Sequence, residues 1–411
     1  MLYNVPLKLL GCSNDGSNRV LGTLFVINLL ITIGFTSFNT FLPLFLKEVN
    51  FSGTIIGIIV STYSISKLFS SVFMGVLVDK INKKKLMLIL LSMFTVLSFL
   101  CFRIDNFYTV IAVRIFQGIF FALFRPLIFS ILCENISIEQ SAKMISSLDL
   151  SFYIATCAGP LLGGFIREIF GYYGLLSFLV LLTGISFVFF IITTGNMKRI
   201  DEVKERTSPD EFGLNIFTPK LCGLCIFIMG KGCMLSLLLT IAPIMLPHYD
   251  ISISGIGFII SLLSISMILF IKPAVSLSGF IGIYPIISVG SLVVSALFFI
   301  IPSVNVVGIA IVFALIGIFS AMSQPASSAI LAYEGRKVGF GFASGIFNFF
   351  MNLGFVAGPL FGTYLMESID IKYVFYFAGG IGVFSWIAFI IVSRTCNDFS
   401  GCAELSCDVR R

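Results

Sequence analysis

Apolar residues fall in long blocks along this chain, and polar residues collect mainly between the blocks. A helix needs about 20 apolar residues to cross the hydrocarbon core of a bilayer. Twelve runs approach or exceed that length. In the first half they lie near 20–45, 53–75, 86–103, 108–132, 142–168 and 175–195. In the second half they lie near 217–247, 252–273, 281–301, 305–331, 339–366 and 371–394. The long polar break, 196–216, carries Lys198, Arg199, Asp201, Glu202, Lys204, Glu205 and Arg206 between the sixth and seventh runs. The pattern predicts an all-α integral membrane protein with two six-helix lobes, 20–195 and 217–394, joined by the linker 196–216. Residues 1–19 and 395–411 form polar ends. The first run, from Val20, is too long for a signal-peptide core and shows no cleavage site, so it reads as a membrane helix.

The two halves repeat each other at a spacing of 199 residues. Gly118-Ile119-Phe120 recurs as Gly317-Ile318-Phe319, and Pro126 as Pro325. Ala158-Gly159-Pro160-Leu161 recurs as Ala357-Gly358-Pro359-Leu360, Gly163 as Gly362 and Glu168 as Glu367. Chance apolar similarity does not hold one register through so many positions. Duplicated lobes around a linker suit a protein in which one lobe rocks against the other.

Composition narrows the function. The 411 residues are 58% hydrophobic and 11% charged, with a mean hydropathy of +1.07. Soluble domains carry about 25% charged residues, so aqueous catalysis and nucleic-acid binding are poor expectations despite a net charge of +6. The ten cysteines are scattered, several within helices, which argues against a disulfide framework. Cys222 and Cys225 form a lone CxxC with no second pair, and His248 is the single histidine. Cys396, Cys402 and Cys407 lack zinc-ligand spacing. No metal or other cofactor is expected.

Loop charge sets the orientation. With the N-terminus inside, eighteen lysines and arginines fall in inside loops and tails. Four fall outside: Lys47, Arg103, Arg167 and Lys372. Both termini are therefore expected in the cytoplasm, with the protein in a plasma or inner membrane.

Three segments carry more than hydropathy. Gly75-Val76-Leu77-Val78-Asp79-Lys80-Ile81-Asn82-Lys83-Lys84-Lys85 stands between the second and third runs. Gly75 permits close helix contact, and Asp79 suits the N-terminal amides of a neighbouring helix. On the fourth run lies Arg114-Ile115-Phe116-Gln117-Gly118. The fifth carries Ala155-Thr156-Cys157-Ala158-Gly159-Pro160-Leu161-Leu162-Gly163-Gly164, whose small residues at 155, 159 and 163 line one helix face. Pro160 adds a kink. The eleventh run repeats the pattern in Gly354, Gly358, Pro359 and Gly362. Together these segments resemble the signatures of the major facilitator superfamily, its drug–proton antiporter branch in particular, over essentially the whole chain. Asn82 stands where the family's loop has a turn glycine, and Ala155 replaces the first glycine of the fifth-run signature. The resemblance implies the major facilitator fold, alternating access, exporter-type antiport, a role for Arg114 in proton coupling or substrate contact, and a cavity-lining seventh helix.

Charges inside the bilayer are costly, about 2.5–3.5 kcal/mol at a helix centre on insertion scales. The deep set is Lys67, Arg114, Arg125, Asp149 and Lys231, with Asp149 its only carboxylate. Arg114 and Arg125 are eleven residues apart, within about 20° of one helix face, shared with Gly118 and Phe121. Arg125 and Asp149 are expected at equal depth on antiparallel neighbours, which predicts an ion pair. That pair reads equally as a permanent brace or as a proton switch at Asp149. In the repeat Arg125 maps to Gln324 and Asp149 to Asn348, which predicts a neutral copy of the pair.

Four cations face one carboxylate. Cationic-drug exporters of the resembled branch usually keep an acid on the first helix, and here that helix offers Asn28 and Thr32 instead. An anionic or zwitterionic substrate is expected, with Arg114, Lys231, Asn28, Thr32, Gln324 and Asn348 as candidate contacts. Asp149, Arg125, Arg114 and Asp79 are the candidates for coupling or gating. The expected partners are a small molecule, protons and the lipid bilayer, and the chain is expected to work as a monomer. The leading reading is proton-coupled efflux. Alternatives are a symporter importing an anionic metabolite and a non-transporting membrane receptor or scaffold.

Overall fold

The computed structural model describes residues 15–80, 82–103, 106–133, 138–194, 218–338 and 340–394. Long α-helices make up nearly all of them: α1 (Asp15–Glu48), α2 (Gly53–Lys80), α3 (Lys83–Leu100), α4 (Phe107–Cys133), α5 (Ile138–Thr194), α6 (Pro219–Met245), α7 (Ile253–Ile281), α8 (Ile283–Ile300), α9 (Val306–Val338), α10 (Phe340–Ser368) and α11 (Ile371–Arg394). All eleven contain a stretch long and apolar enough to span a membrane.

The twelfth expected span lies within α5. Its 57 residues would reach about 85 Å as one straight helix, far beyond the roughly 30 Å hydrocarbon core. The helix breaks at Gly171, whose φ of 68° and ψ of −170° leave the helical region. Glycine takes that conformation without the penalty a Cβ would bring. A Cβ there would meet nothing within 4 Å, so the position needs glycine for its backbone and not for space. The fifth and sixth runs are the two sides of this break.

The chain divides into two compact units: Met1–Phe45 with Ile65–Thr207, and Leu46–Ser64 with Ser208–Arg411. The first half of α2 is thus grouped with the second unit. There Glu367 Oε2 accepts from Thr54 N at 2.7 Å and Thr54 Oγ1 at 2.6 Å.

Helices within a membrane gain little from apolar burial against each other, so close packing and interhelical hydrogen bonds carry association. The glycine repeat supplies both. In the first unit a Cβ on Gly159 would overlap Thr36 Oγ1, and Ser37 Oγ donates to Gly159 O at 2.7 Å. In the second unit a Cβ on Gly358 would overlap Ser236 Oγ, and Ser236 Oγ donates to Gly354 O at 3.4 Å. Gly163 faces Ser37 and Gly362 faces Leu237 in the same two contacts. The repeated motif therefore sits where α1 crosses α5 and where α6 crosses α10. Gly118 and Gly164 are buried within the first unit. Pro160 and Pro359 lie within helices that continue through them.

Gly75 and Asp79 lie in the last turns of α2, outside the residues whose side chains are described. Asn82, at the position of the turn glycine of the resembled loop, is described and is a helix cap. With φ −54° and ψ 116° it caps α3, and its side chain accepts from Lys85 N at 3.0 Å. Asparagine suits that cap because its oxygen satisfies an orphan helix amide.

Candidate functional site

In the first unit, α4 and α5 bring Arg125 and Asp149 together. Arg125 Nη2 lies 2.6 Å from Asp149 Oδ1, with the side chains 54% and 38% exposed. The guanidinium also lies over two rings, 5.6 Å from the Phe129 centroid and 5.3 Å from that of Phe152. The aromatic faces attract the cation, while one edge of the pair stays open. Lys67 of α2 lies within electrostatic reach of Arg125. From α1, Asn28 Nδ2 donates to Ser151 Oγ at 2.6 Å and to Leu148 O at 3.3 Å. Asn28 thereby fixes the turn of α5 that carries Asp149.

Arg114 sits differently from Arg125 although the two share a helix face. It is 1% exposed and donates through Nη1 to Asn39 Oδ1 at 3.0 Å and to Gln117 Oε1 at 3.2 Å. The Arg-x-x-Gln spacing places the two side chains one turn apart, within reach of each other. Eleven residues also separate the arginines by about 16 Å along the axis, enough to move one from packed interior to an open edge. The structure thus places Arg114 among neutral acceptors inside the unit. Thr32 is likewise buried, at 2% exposure.

In the second unit, Lys231 of α6 donates to Ser323 Oγ at 3.0 Å and to Gln324 Oε1 at 2.9 Å, both on α9. Asn348 Nδ2 donates to Ser344 O in its own helix at 2.8 Å. The expected Gln324–Asn348 pair is therefore not formed, because the Lys231 ammonium is the stronger partner for the Gln324 carbonyl. Among the described residues Lys231 makes no ion pair.

Two charged groups depart from the sequence reading. Arg167, which hydropathy puts in an outside loop, is 3% exposed and donates to Phe41 O at 3.2 Å. Rings stand on both sides of it, with centroids of Phe41 and Tyr172 at 5.5 and 5.7 Å. Glu334 falls outside the deep carboxylates expected from sequence, yet it is fully buried near the end of α9 and accepts from Thr218 Oγ1 at 2.6 Å. Both sit near helix ends, where hydropathy assigns side chains to loops. Cys222 and Cys225 are free thiols at the start of α6.

A two-unit bundle of membrane-spanning helices with ionisable groups inside the spans defines a multi-pass membrane transporter. The profile of the Major Facilitator Superfamily matches residues 24–230 and 221–399, and the chain belongs to that family. Quinolone resistance protein NorA of Staphylococcus aureus is 26% identical over 152 residues, 37% of this chain and 39% of that protein. The match thus spans about two fifths of that relative's length. Multidrug resistance protein 1 of Bacillus subtilis is 25% identical over 348 residues, covering 82% of this chain and 86% of that protein. Among solved structures, the nucleoside transporter NupG aligns with a TM-score of 0.70 at 16% identity, covering 91% of this chain and 98% of that one. The human organic anion transporter MFSD10 aligns at 0.65 with 15% identity, covering 92% and 100%. These structural likenesses concern the fold.

Proposed function

We propose that this chain is a proton-coupled exporter of a small anionic or zwitterionic organic molecule, working as a monomer with both termini in the cytoplasm. The observation that carries the reading is the Arg125–Asp149 pair, 2.6 Å apart within apolar helices and partly exposed on both side chains. A wholly buried pair acts as a brace, since neither partner is lost without leaving an orphan charge. Here an open edge gives water a way to the carboxylate. Protonation of Asp149 frees Arg125, and deprotonation binds it again.

Export is supported by the two relatives named for quinolone and multidrug resistance. A transporter confers resistance by keeping a compound out of the cell. The anionic preference is supported by Lys231, whose hydrogen bonds among the described residues go to the neutral Ser323 and Gln324. Arg114 takes a positioning role in this proposal, holding α1 to α4 through Asn39. Asp79 remains a proposed gate residue at the end of α2.

The test is transport in proteoliposomes under an imposed pH gradient, with organic anions and lipophilic cations assayed side by side. Gradient-driven movement of an anion that stops in Asp149→Asn is the expected result. Full gradient-driven activity in Asp149→Asn overturns the coupling assignment.

A further inference from the structure

Lys231 lies beside a small space in the second unit, framed by α6, α8, α9 and α11. Its volume is about 20 Å³. A space of about 10–15 Å³ already seats one water. A single particle of that size therefore fits here, and a polyatomic ligand does not. Ser291, Ser295, Ser320, Ser323 and Ser385 line the space with Lys231, and Phe227 and Met234 give it an apolar wall.

Close helix approach builds the surround. A Cβ on Gly382 of α11 would overlap Ser295 Oγ of α8, and a Cβ on Gly230 of α6 would overlap Ser385 Oγ of α11. Glycine at both positions lets hydroxyls of two neighbouring helices come up beside Lys231.

We infer that this space is a halide site, taking chloride as the counter-ion of the Lys231 ammonium. The inference goes beyond the exporter reading, because it concerns the ion that balances Lys231 between cargo molecules. An ammonium has three donors. Two go to Ser323 Oγ at 3.0 Å and Gln324 Oε1 at 2.9 Å, which leaves one N–H for the ion. The lining holds one cation and no carboxylate. A water there satisfies the third N–H but leaves the charge uncompensated among apolar helices. A cation is repelled. Carboxylates, phosphate and sulfate carry several heavy atoms and exceed the space. A chloride ion, only slightly larger than a water molecule, brings one charge in one atom.

Hydroxyls complete the shell. Ser320 makes no side-chain hydrogen bond among the described residues, so its O–H is available to the ion. Ser295 Oγ donates to Ser291 O at 2.9 Å and Ser385 Oγ to Gly382 O at 3.0 Å. Each accepting carbonyl belongs to a continuous helix and receives a backbone N–H as well. Either hydroxyl can turn to the ion and leave no orphan behind.

Thermal unfolding of the full chain in detergent tests the site, with chloride exchanged for bromide, gluconate or sulfate at constant ionic strength. Chloride and bromide should raise the unfolding temperature saturably, as ligands of the folded state do. Gluconate and sulfate should not. Lys231→Gln should raise the half-saturating chloride concentration at least about tenfold, the cost of losing a charged hydrogen bond. Ser320→Val places methyl groups in the space with Lys231 intact. It should abolish the chloride effect while unfolding in gluconate stays near the wild type. This variant decides the matter where Lys231→Gln fails to fold.

Equal unfolding temperatures in chloride and gluconate mean that the space takes water alone, and overturn the site. So does a chloride effect that sulfate reproduces, or one unaltered in Ser320→Val. The measurement involves no transport. A missing chloride effect beside gradient-driven anion export refutes the halide site alone. Chloride stabilisation beside a fully active Asp149→Asn refutes the coupling alone.

Discussion

Arg125 of α4 and Asp149 of α5 meet at 2.6 Å, and each keeps a third or more of its side chain accessible. That combination separates stability from coupling at one position. Exposed pairs contribute about 0–1 kcal/mol, so Asp149→Asn is expected to change thermal stability little. Gradient-driven transport should nevertheless fall by at least about tenfold, a barrier change of only about 1.4 kcal/mol. Counterflow of substrate in the absence of a gradient should persist. Thermal unfolding in detergent, run beside counterflow and gradient-driven assays, checks all three.

Arg114 predicts the opposite balance. Its guanidinium is buried and satisfies both Asn39 and Gln117. Arg114→Ala leaves the buried Gln117 amide oxygen without that donor, at about 1–3 kcal/mol, and the half-buried Asn39 oxygen as well, at less. A marked drop in unfolding temperature is expected. Arg114→Lys supplies a charge but not the fork, and should recover only part of the loss. An Arg114→Ala protein as stable as the wild type would show that the α1–α4 contact is not held this way.

The α1–α5 crossing is open to a compensation test. Gly159→Ala puts a methyl against Thr36 Oγ1. Overpacking of this kind costs about 1–3 kcal/mol. Thr36→Ala removes the obstructing oxygen, so the double variant should be more stable than Gly159→Ala alone. The residual deficit reflects the residue-36 Cβ, 2.9 Å from the same methyl, and Ile33 O at 3.1 Å. Additive destabilisation in the double variant would place the clash elsewhere.

Thr218 caps α6 by accepting from Leu221 N at 3.2 Å and donates to Glu334 at 2.6 Å. Thr218→Val keeps the shape and removes both bonds. A loss of about 1–3 kcal/mol is expected from the cap and from a buried carboxylate short of one donor. Glu334→Gln should cost less, because an amide oxygen still accepts from Thr218. Unfolding temperatures of the two variants, ranked against each other, check the order.

Depth along the chain is legible in the sequence, and direction around each helix is not. Counting residues from helix ends places Arg125 opposite Asp149. The 199-residue repeat locates the small-residue crossings, because glycine spacing reports close approach directly. The same counting puts Arg114 and Arg125 in one environment, although their surroundings differ over about 16 Å of axis. It pairs Gln324 with Asn348, because it does not weigh the competing Lys231. Glu334 falls to a loop since its apolar run ends at 331, before α9 does, and Arg167, at the edge of the run 142–168, is counted with the loop that follows. A long side chain at a helix end turns inward when a carbonyl, a ring or a hydroxyl waits there, and hydropathy records none of these.

The Thr218–Glu334 contact has a mechanical consequence. Lys231 is thirteen residues beyond Thr218 on one unbroken helix, α6. The chain enters that helix through a residue clamped to a buried carboxylate of α9, the helix that also supplies Ser323 and Gln324 to Lys231. Alpha-helices resist stretching, so two fixed points on the same pair of rods form a strut. Any sliding of α6 along α9 has to break both fastenings together, and the ammonium's position is thereby indexed to the start of its own helix.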